Sequence, residues 1–489
     1  MPRGLCSSPL IGTLTLGCAL LLRTAPARAD GAFPNSETIV TPDASPHEIL
    51  LTTNFGIVRS VDDGTTWTWA CEQQGNLNAT VYQLGPPPLN RIFAVAFDGL
   101  TAMTTHLAYS DDSSCGWSTS GGMLEGTSVR DEFPDPTNAN RVLAITGVAV
   151  DGGSPINKVV ESTDGGATFG TLRYTGNPGD TITGLEIARS APSTIYLTVT
   201  VKNGTALAPV LLQSTDGGTT WMRHDLSAML APGTRSISLI SIDPTNPQKV
   251  FLRVGAGQDE GVAVTTDGGA TVTTPLAFPG GIVTAYTRMA SGTIIVGGAI
   301  GLDNVVFRST DGGASFQQLP NPPQTMRALS SRGTTLYAVA NNEVDTYAVG
   351  ISADQGMTWQ QFLTYDQITA IAGCLHDQCQ TDCLARAGMN QWPADMCSAT
   401  APTSDGGTAG TAGGGTGGGG TTGAGGSSGS AGSGGAPVDG GPPGGGGASG
   451  CHCAAGPGTP PGAWRWAGAA ILALTVRPRR RRRTRPSKT

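Results

Sequence analysis

Charged side chains are scarce in this chain, 13% of 489 residues, and lysine is confined to Lys158, Lys202, Lys249 and Lys488. With 38% apolar residues beside so little charge, neither a conventional helical protein nor a wholly disordered chain fits. Long apolar runs are missing too. Leu10 to Leu22 and Ala463 to Val476 both fall short of the roughly 20 residues that a membrane helix needs. Outside the glycine-rich tract there is no G-x-S-x-G elbow, no H-E-x-x-H pair occurs, and His47, His106, His224, His376 and His452 are scattered. Several Asp-Gly-Gly triplets occur, but without the D-x-D-x-D-G spacing and closing Glu of a calcium loop. Neither a cofactor nor a metal is expected.

What is present is unevenly placed. Glycine accounts for 72 residues, 24 of them in 401–450, so the remainder keeps an ordinary capacity to build a core. Residues 30–399 hold 34 acidic and 17 basic side chains, whereas the end of the chain carries Arg465, Arg477, Arg479 to Arg483, Arg485 and Lys488. The acidic part is a poor electrostatic match for nucleic acid or anionic lipid.

Both ends read as addresses. Arg3, the apolar run Leu10 to Leu22 and Ala27-Arg28-Ala29 follow the order of a secretory signal peptide, residues 1–29, with cleavage expected after Ala29. Thr15-Leu16-Gly17-Cys18 is an imperfect lipobox inside that run. Residues 399–450 form a Gly/Ser/Thr-rich flexible linker. Beyond it, 451–489 place Cys451-His452-Cys453 before a short apolar helix and an arginine-rich end. A Cys-His-Cys metal site is the competing reading, but three ligands this close do not make a tetrahedral set. The segment resembles the myxobacterial-type C-terminal sorting signals. That resemblance implies that Cys451 or Cys453 is the processing or attachment point, that a sorting protease acts there, and that the helix and arginines are removed. The mature protein is then expected at the cell surface or outer envelope, touching the membrane only through this segment.

Between the ends one pattern recurs. It reads Ser60-Val-Asp62-Asp-Gly64-Thr-Thr66-Trp67, with further copies centred on Asp112, Asp164, Asp216, Asp267, Asp311 and Asp354; the copy at Ser110 to Trp117 is degenerate. Successive copies start 50, 52, 52, 51, 44 and 43 residues apart. In each, Asp can accept backbone N–H groups, Gly supplies positive φ and the last residue can pack between layers. Short alternating apolar runs flank every copy, and two more lie upstream, as in Ile182 to Ile187 with Thr194 to Val201. Asp135-Pro-Thr-Asn138 and Asp243-Pro-Thr-Asn246 suit the turn between the first two runs. Four strands per repeat at this period predict an all-β, seven-bladed β-propeller over residues 36–373. Glu37 to Thr41 or Ile368 to Ala372 supplies the innermost strand of the first blade, the former being preferred.

The S-x-D-x-G-x-T-W signature resembles the Asp-box, or BNR, repeat. Propellers of that group include sialidases, xyloglucan hydrolases, sortilin-type receptors and photosystem assembly factors. The resemblance implies architecture, with the seven Asp residues structural, and leaves function open. The F/Y-R-I-P segment of Asp-box sialidases is absent; Arg91-Ile92-Phe93 lacks its proline. Arg130, Arg235, Arg288 and Arg327 lie on or beside first strands and are the candidate ligand-binding residues. Asp131 with Glu132, and Glu186, are the carboxylates from which a glycosidase would draw a catalytic pair. The expectation is an exported monomer that binds a glycan or protein ligand without catalysis. A glycoside hydrolase and an envelope assembly scaffold are the rivals.

Eight cysteines remain after Ala29, an even number that favours disulfides in an exported chain. Cys71 and Cys115 are alone within the propeller and are expected to pair. Cys374, Cys379, Cys383 and Cys397 form a cap over 374–398 with three possible internal connectivities, and their spacing does not match a structural zinc site.

Overall fold

The computed structural model describes residues 36–42, 45–71, 78–97, 104–148 and 154–399. The signal peptide, most of the linker, Cys451 and Cys453 lie outside the described residues. Among those described, no helix is long and apolar enough to cross a membrane.

The chain forms a seven-bladed β-propeller. Each blade is an antiparallel meander whose innermost strand comes first in sequence. These strands are Ser36–Val40, Asn78–Leu84, Ser128–Pro134, Thr181–Ile187, Ser236–Ile242, Gly281–Arg288 and Ala328–Arg332 in blades 1 to 7. Their neighbours read as nearly continuous apolar runs, such as Ile195–Asn203 and Ile294–Ile300, because both faces of a blade are covered by adjacent blades. Adjacent innermost strands run in the same direction. Gln83 Nε2 donates to Glu132 O at 2.8 Å between the late parts of those of blades 2 and 3, and Glu186 accepts the N–H of Ile242 at 3.0 Å at the ends of those of blades 4 and 5.

The N-terminal run takes the inner position of blade 1. The C-terminal run adds to the same blade from outside: Ala370 and Ile371 pair in parallel with Thr68 and Trp69 as a fifth strand. Blade 7 meets blade 1 through Thr41 Oγ1 and Ser330 Oγ at 2.8 Å and an edge-to-face contact of Trp67 with Phe362.

Every repeated box is a closed turn. In blade 3, Ser162 Oγ donates to Asp164 Oδ1 at 2.7 Å and accepts the Gly166 N–H at 2.8 Å, while Asp164 takes the N–H and hydroxyl of Thr168. Gly166 has φ 87°, and a Cβ there would lie 2.6 Å from Phe93 of blade 2. The equivalent Gly313 of blade 6 meets Phe251 of blade 5 in the same way. Each box therefore closes its own hairpin and receives the preceding blade. The degenerate copy keeps this geometry: Ser114 stands where the others have glycine, takes φ 77°, and donates its N–H to Ser110 Oγ at 3.0 Å. Replacing the fully buried Ser162 with alanine strands the Gly166 N–H, and is expected to cost about 1–3 kcal/mol in a denaturant melt.

The cysteine pairing differs from expectation. Cys71 bonds Cys379, Cys115 bonds Cys374, and only Cys383–Cys397 lies within the cap. Cys71 and Cys115 are not bonded to each other because the fifth strand carries the chain back along the edge of blade 1. It thereby delivers Cys374 and Cys379 to both. The cap is a helix, α1 (His376–Ala387), followed by a short 3-10 turn, Ala394–Cys397. Trp392 packs 4.9 Å from Trp69 and 5.6 Å from Phe55, so the cap continues the core of blade 1.

Candidate functional site

The direction of the innermost strands sorts the four candidate arginines. Arg130 is the third residue of its strand, and Arg235 and Arg327 immediately precede theirs, so all three belong to the end of the channel where those strands begin. Arg288 is the last residue of its strand and pairs with Asp243 of blade 5 at 3.5 Å, at the opposite end. The four do not converge. Burial holds the Arg130 guanidinium below its usual value, and Arg327 lies near enough to Glu37 to oppose the rise that burial imposes on that carboxyl.

The candidate carboxylates separate as well. Glu186 is committed to the Ile242 N–H. Asp131 and Glu132 are successive residues of one strand, so their side chains leave opposite faces. Glu132 is opposite Ala144, a member of the cluster shared with blade 2; Asp131 is opposite Ile145, a member of the cluster shared with blade 4. Burial pushes Asp131 up to about 7, although its carboxylate accepts the Glu132 N–H. Burial and the neighbouring Asp131 charge push Glu132 well above the usual carboxylate range. Glu132 is fully buried, and neither carboxyl oxygen has a hydrogen-bond partner. The repeat explains how unusual this is. In blades 1, 2, 3, 4 and 6 the innermost strand carries a bulge at Glu37, Thr80, Arg130, Thr183 and Thr284. Two residues further on stand Ile39, Tyr82, Glu132, Leu185 and Tyr286, all buried.

The seven Asp residues of the boxes lie on the turns after the third strands. Their carboxylates accept hydrogen bonds within their own turns: Thr271 holds Asp267 down to about 2, Thr358 does the same for Asp354, and Thr220 and Ser315 lower Asp216 and Asp311. They are occupied as structural acceptors. Among the described residues, no group of three or more His, Cys, Asp or Glu side chains is placed to hold a metal ion.

The opening that sequence reasoning missed is an open cleft of about 410 Å³ between blades 3 and 4. One wall is built on the Asp135-Pro-Thr-Asn138 turn, where Asp135 Oδ1 accepts both the N–H and the hydroxyl of Thr137 at 2.8 Å. Arg141 immediately precedes the next strand and reaches Asp135 at 3.2 Å, Pro192 O at 2.7 Å and Glu161 at 3.3 Å. Arg173, from the outer strand, grips Glu161 with Nε at 2.9 Å and Nη2 at 2.8 Å and keeps Nη1 outside that pair. Hydrogen bonding to Glu161 raises the Arg173 guanidinium above its usual value. Ser193 and Asp216 of blade 4 form the other wall. Two arginines thus face three carboxylates. Such a surface does not select an anion, but it alternates donors and acceptors.

No family model matches the chain, and no curated protein matches it. Solved structures do. The β-propeller domain of the Trilobed protease from Pyrococcus furiosus matches over 68% of this chain and 99% of that one, at 8% identity and a TM-score of 0.45. YCF48 from Cyanidioschyzon merolae matches over 62% and 92%, at 13% identity and 0.41. The GH74 xyloglucanase from Xanthomonas campestris matches over 65% and 57%, at 12% identity and 0.33. This chain spans little more than half of the length of the xyloglucanase.

Proposed function

We propose that this chain is an exported, surface-tethered propeller with Asp-box turns that binds a ligand without transforming it, and that the ligand is a neutral glycan held in the cleft between blades 3 and 4. The mixed-charge lining of Arg141 and Arg173 with Asp135, Glu161 and Asp216 carries this reading. Sugar hydroxyls both donate and accept, as such a surface requires, and Asn138 and Ser193 add neutral polar groups. Residues 451–489 serve as the sorting signal, with attachment through Cys451 or Cys453 and loss of the arginine-rich end. The glycoside hydrolase reading draws support from the raised Asp131 carboxyl, but Asp131 and Glu132 leave opposite faces of one strand and cannot flank a single bond.

A glycan array with the full chain tests the proposal. Binding to neutral glycans, reduced at least tenfold by Arg173→Ala together with Asn138→Ala (a loss of about 1.4 kcal/mol or more), is the expected result. Release of reducing ends from any bound glycan, abolished by Asp131→Asn, establishes the hydrolase reading instead.

A further inference from the structure

The disulfides are nested, and nesting has a consequence for how they form. After Ala29 the cysteines occur in the order Cys71, Cys115, Cys374, Cys379, Cys383 and Cys397 before the linker. Joining them consecutively would give Cys71–Cys115, Cys374–Cys379 and Cys383–Cys397. Only the third of these is native.

Cys71 and Cys115 are the first thiols of the mature chain to emerge, and no other follows until Cys374. Their places in the fold are close: Cys71 and Ser114, the residue before Cys115, line one small cavity between blades 1 and 2. Their native partners lie 308 and 259 residues away in sequence, and longer loops close at greater entropic cost. The cap also docks late. Leu375, Cys379, Trp392 and Met396 bury themselves against Phe55 and Trp69, so the cap has no seat until blade 1 exists.

We infer that maturation of this protein includes one thiol–disulfide exchange, from Cys71–Cys115 and Cys374–Cys379 to Cys71–Cys379 and Cys115–Cys374, and that its partner is a thiol–disulfide isomerase. The inference rests on the export reading, since these bonds form in an oxidising compartment. Two equivalents of an oxidising protein disulfide first take four electrons and four protons from four thiols, each being reduced to a dithiol. The isomerase thiolate then attacks Cys115 Sγ, breaking the Cys71–Cys115 bond and releasing the Cys71 thiolate. Cys71 attacks Cys379 Sγ and releases the Cys374 thiolate. Cys374 attacks Cys115 Sγ in the mixed disulfide and returns the isomerase thiolate. Net of the transient mixed disulfide, two S–S bonds of this chain break and two form, with no net redox change. The final geometry suits this order. Cys71 and Cys379 end almost fully buried, whereas Cys374 is exposed and Cys115 half-buried, so the last attack occurs at the surface.

The test is oxidative refolding of the reduced full chain by a purified dithiol oxidase, with and without protein disulfide isomerase. Asp377 and Asp382 separate Cys374, Cys379 and Cys383, so trypsin with an Asp-specific protease resolves each linkage by mass under non-reducing conditions. With oxidase alone, the Cys71–Cys115 peptide pair accumulates; adding isomerase abolishes it and yields both native linkages. Equal rates and yields of the native linkages with oxidase alone overturn the inference. Cys374→Ser with Cys379→Ser retains Cys71–Cys115 as a stable bridge, and free thiols at both positions after oxidation likewise overturn it. Free thiols in protein taken from its native host bear on export instead, and leave the refolding result standing.

Discussion

Cys71→Ala together with Cys379→Ala is expected to lower unfolding stability by about 4 kcal/mol on the chain-entropy estimate, less any relief of native strain. The figure follows from the nesting rather than from the full separation of 308 residues. With Cys115–Cys374 intact, the broken loop runs from Cys71 to Cys115, across that bridge, and back from Cys374 to Cys379, so about fifty residues gain freedom. Removing both bridges releases the whole ring and costs more. Denaturant unfolding of the two variants decides this, and a loss below about 1 kcal/mol for the single removal means that Trp392 and its apolar seat hold the cap unaided. The measurement also addresses ring closure. Blade 1 builds all four of its meander strands from the N-terminal end, so the C-terminal run is an outer brace and not a missing inner strand.

Glu132→Leu is expected to stabilise the propeller by about 2–3 kcal/mol at pH 8, because it replaces a buried carboxyl with no hydrogen-bond partner by a side chain that blade 4 already carries at the same repeat position. Leu185 is that side chain. The gain depends on pH. A carboxyl whose folded value is raised contributes fully to stability only below its unfolded value. As pH climbs past that value the unfolded chain releases the proton first, and stability falls until the folded value is passed. For Asp131, which moves from 3.8 to about 7, the loss across that window is on the order of 4 kcal/mol. Glu132, whose carboxyl burial also raises, adds to the fall. Thermal melts between pH 4 and pH 9 should therefore show declining stability for the native chain. Asp131→Asn and Glu132→Leu should each flatten the profile. A native profile flat across this range would mean that both carboxyls are solvated.

The architecture was legible because it is repetitive and local. The contacts that close a box, Ser to Asp, Gly N–H to Ser and Thr to Asp, span at most four residues, so a short sequence window contains the whole turn. The degenerate copy at Ser110 remained recognisable because Ser and Asp survive, and the backbone accepts Ser114 at positive φ. The candidate site was less legible. Arg130 and Arg288 look alike beside a first strand, and only strand direction shows that they belong to opposite ends. Arg141 and Arg173 gave no signal in sequence, since each looks like an ordinary strand residue. They become one surface because Glu161 lies between them and blade 4 closes over it. In sequence Glu132 stands only as one of a candidate pair of carboxylates with Asp131. Its position relative to the bulge identifies it as a core residue, and that position appears only once the strand register is known.

Sequence alone therefore determined the number of blades, the turns that separate their strands and the preference for an N-terminal inner strand, because each follows from periodicity and from hydrogen bonds between near neighbours. Tertiary structure decided the disulfide partners, the separation of the four arginines and the location of the cleft, because each depends on which blades stand side by side. Cys71 and Cys115 illustrate the division: their parity and compartment could be read residue by residue, but their partners lie hundreds of residues away and arrive only when the ring is complete.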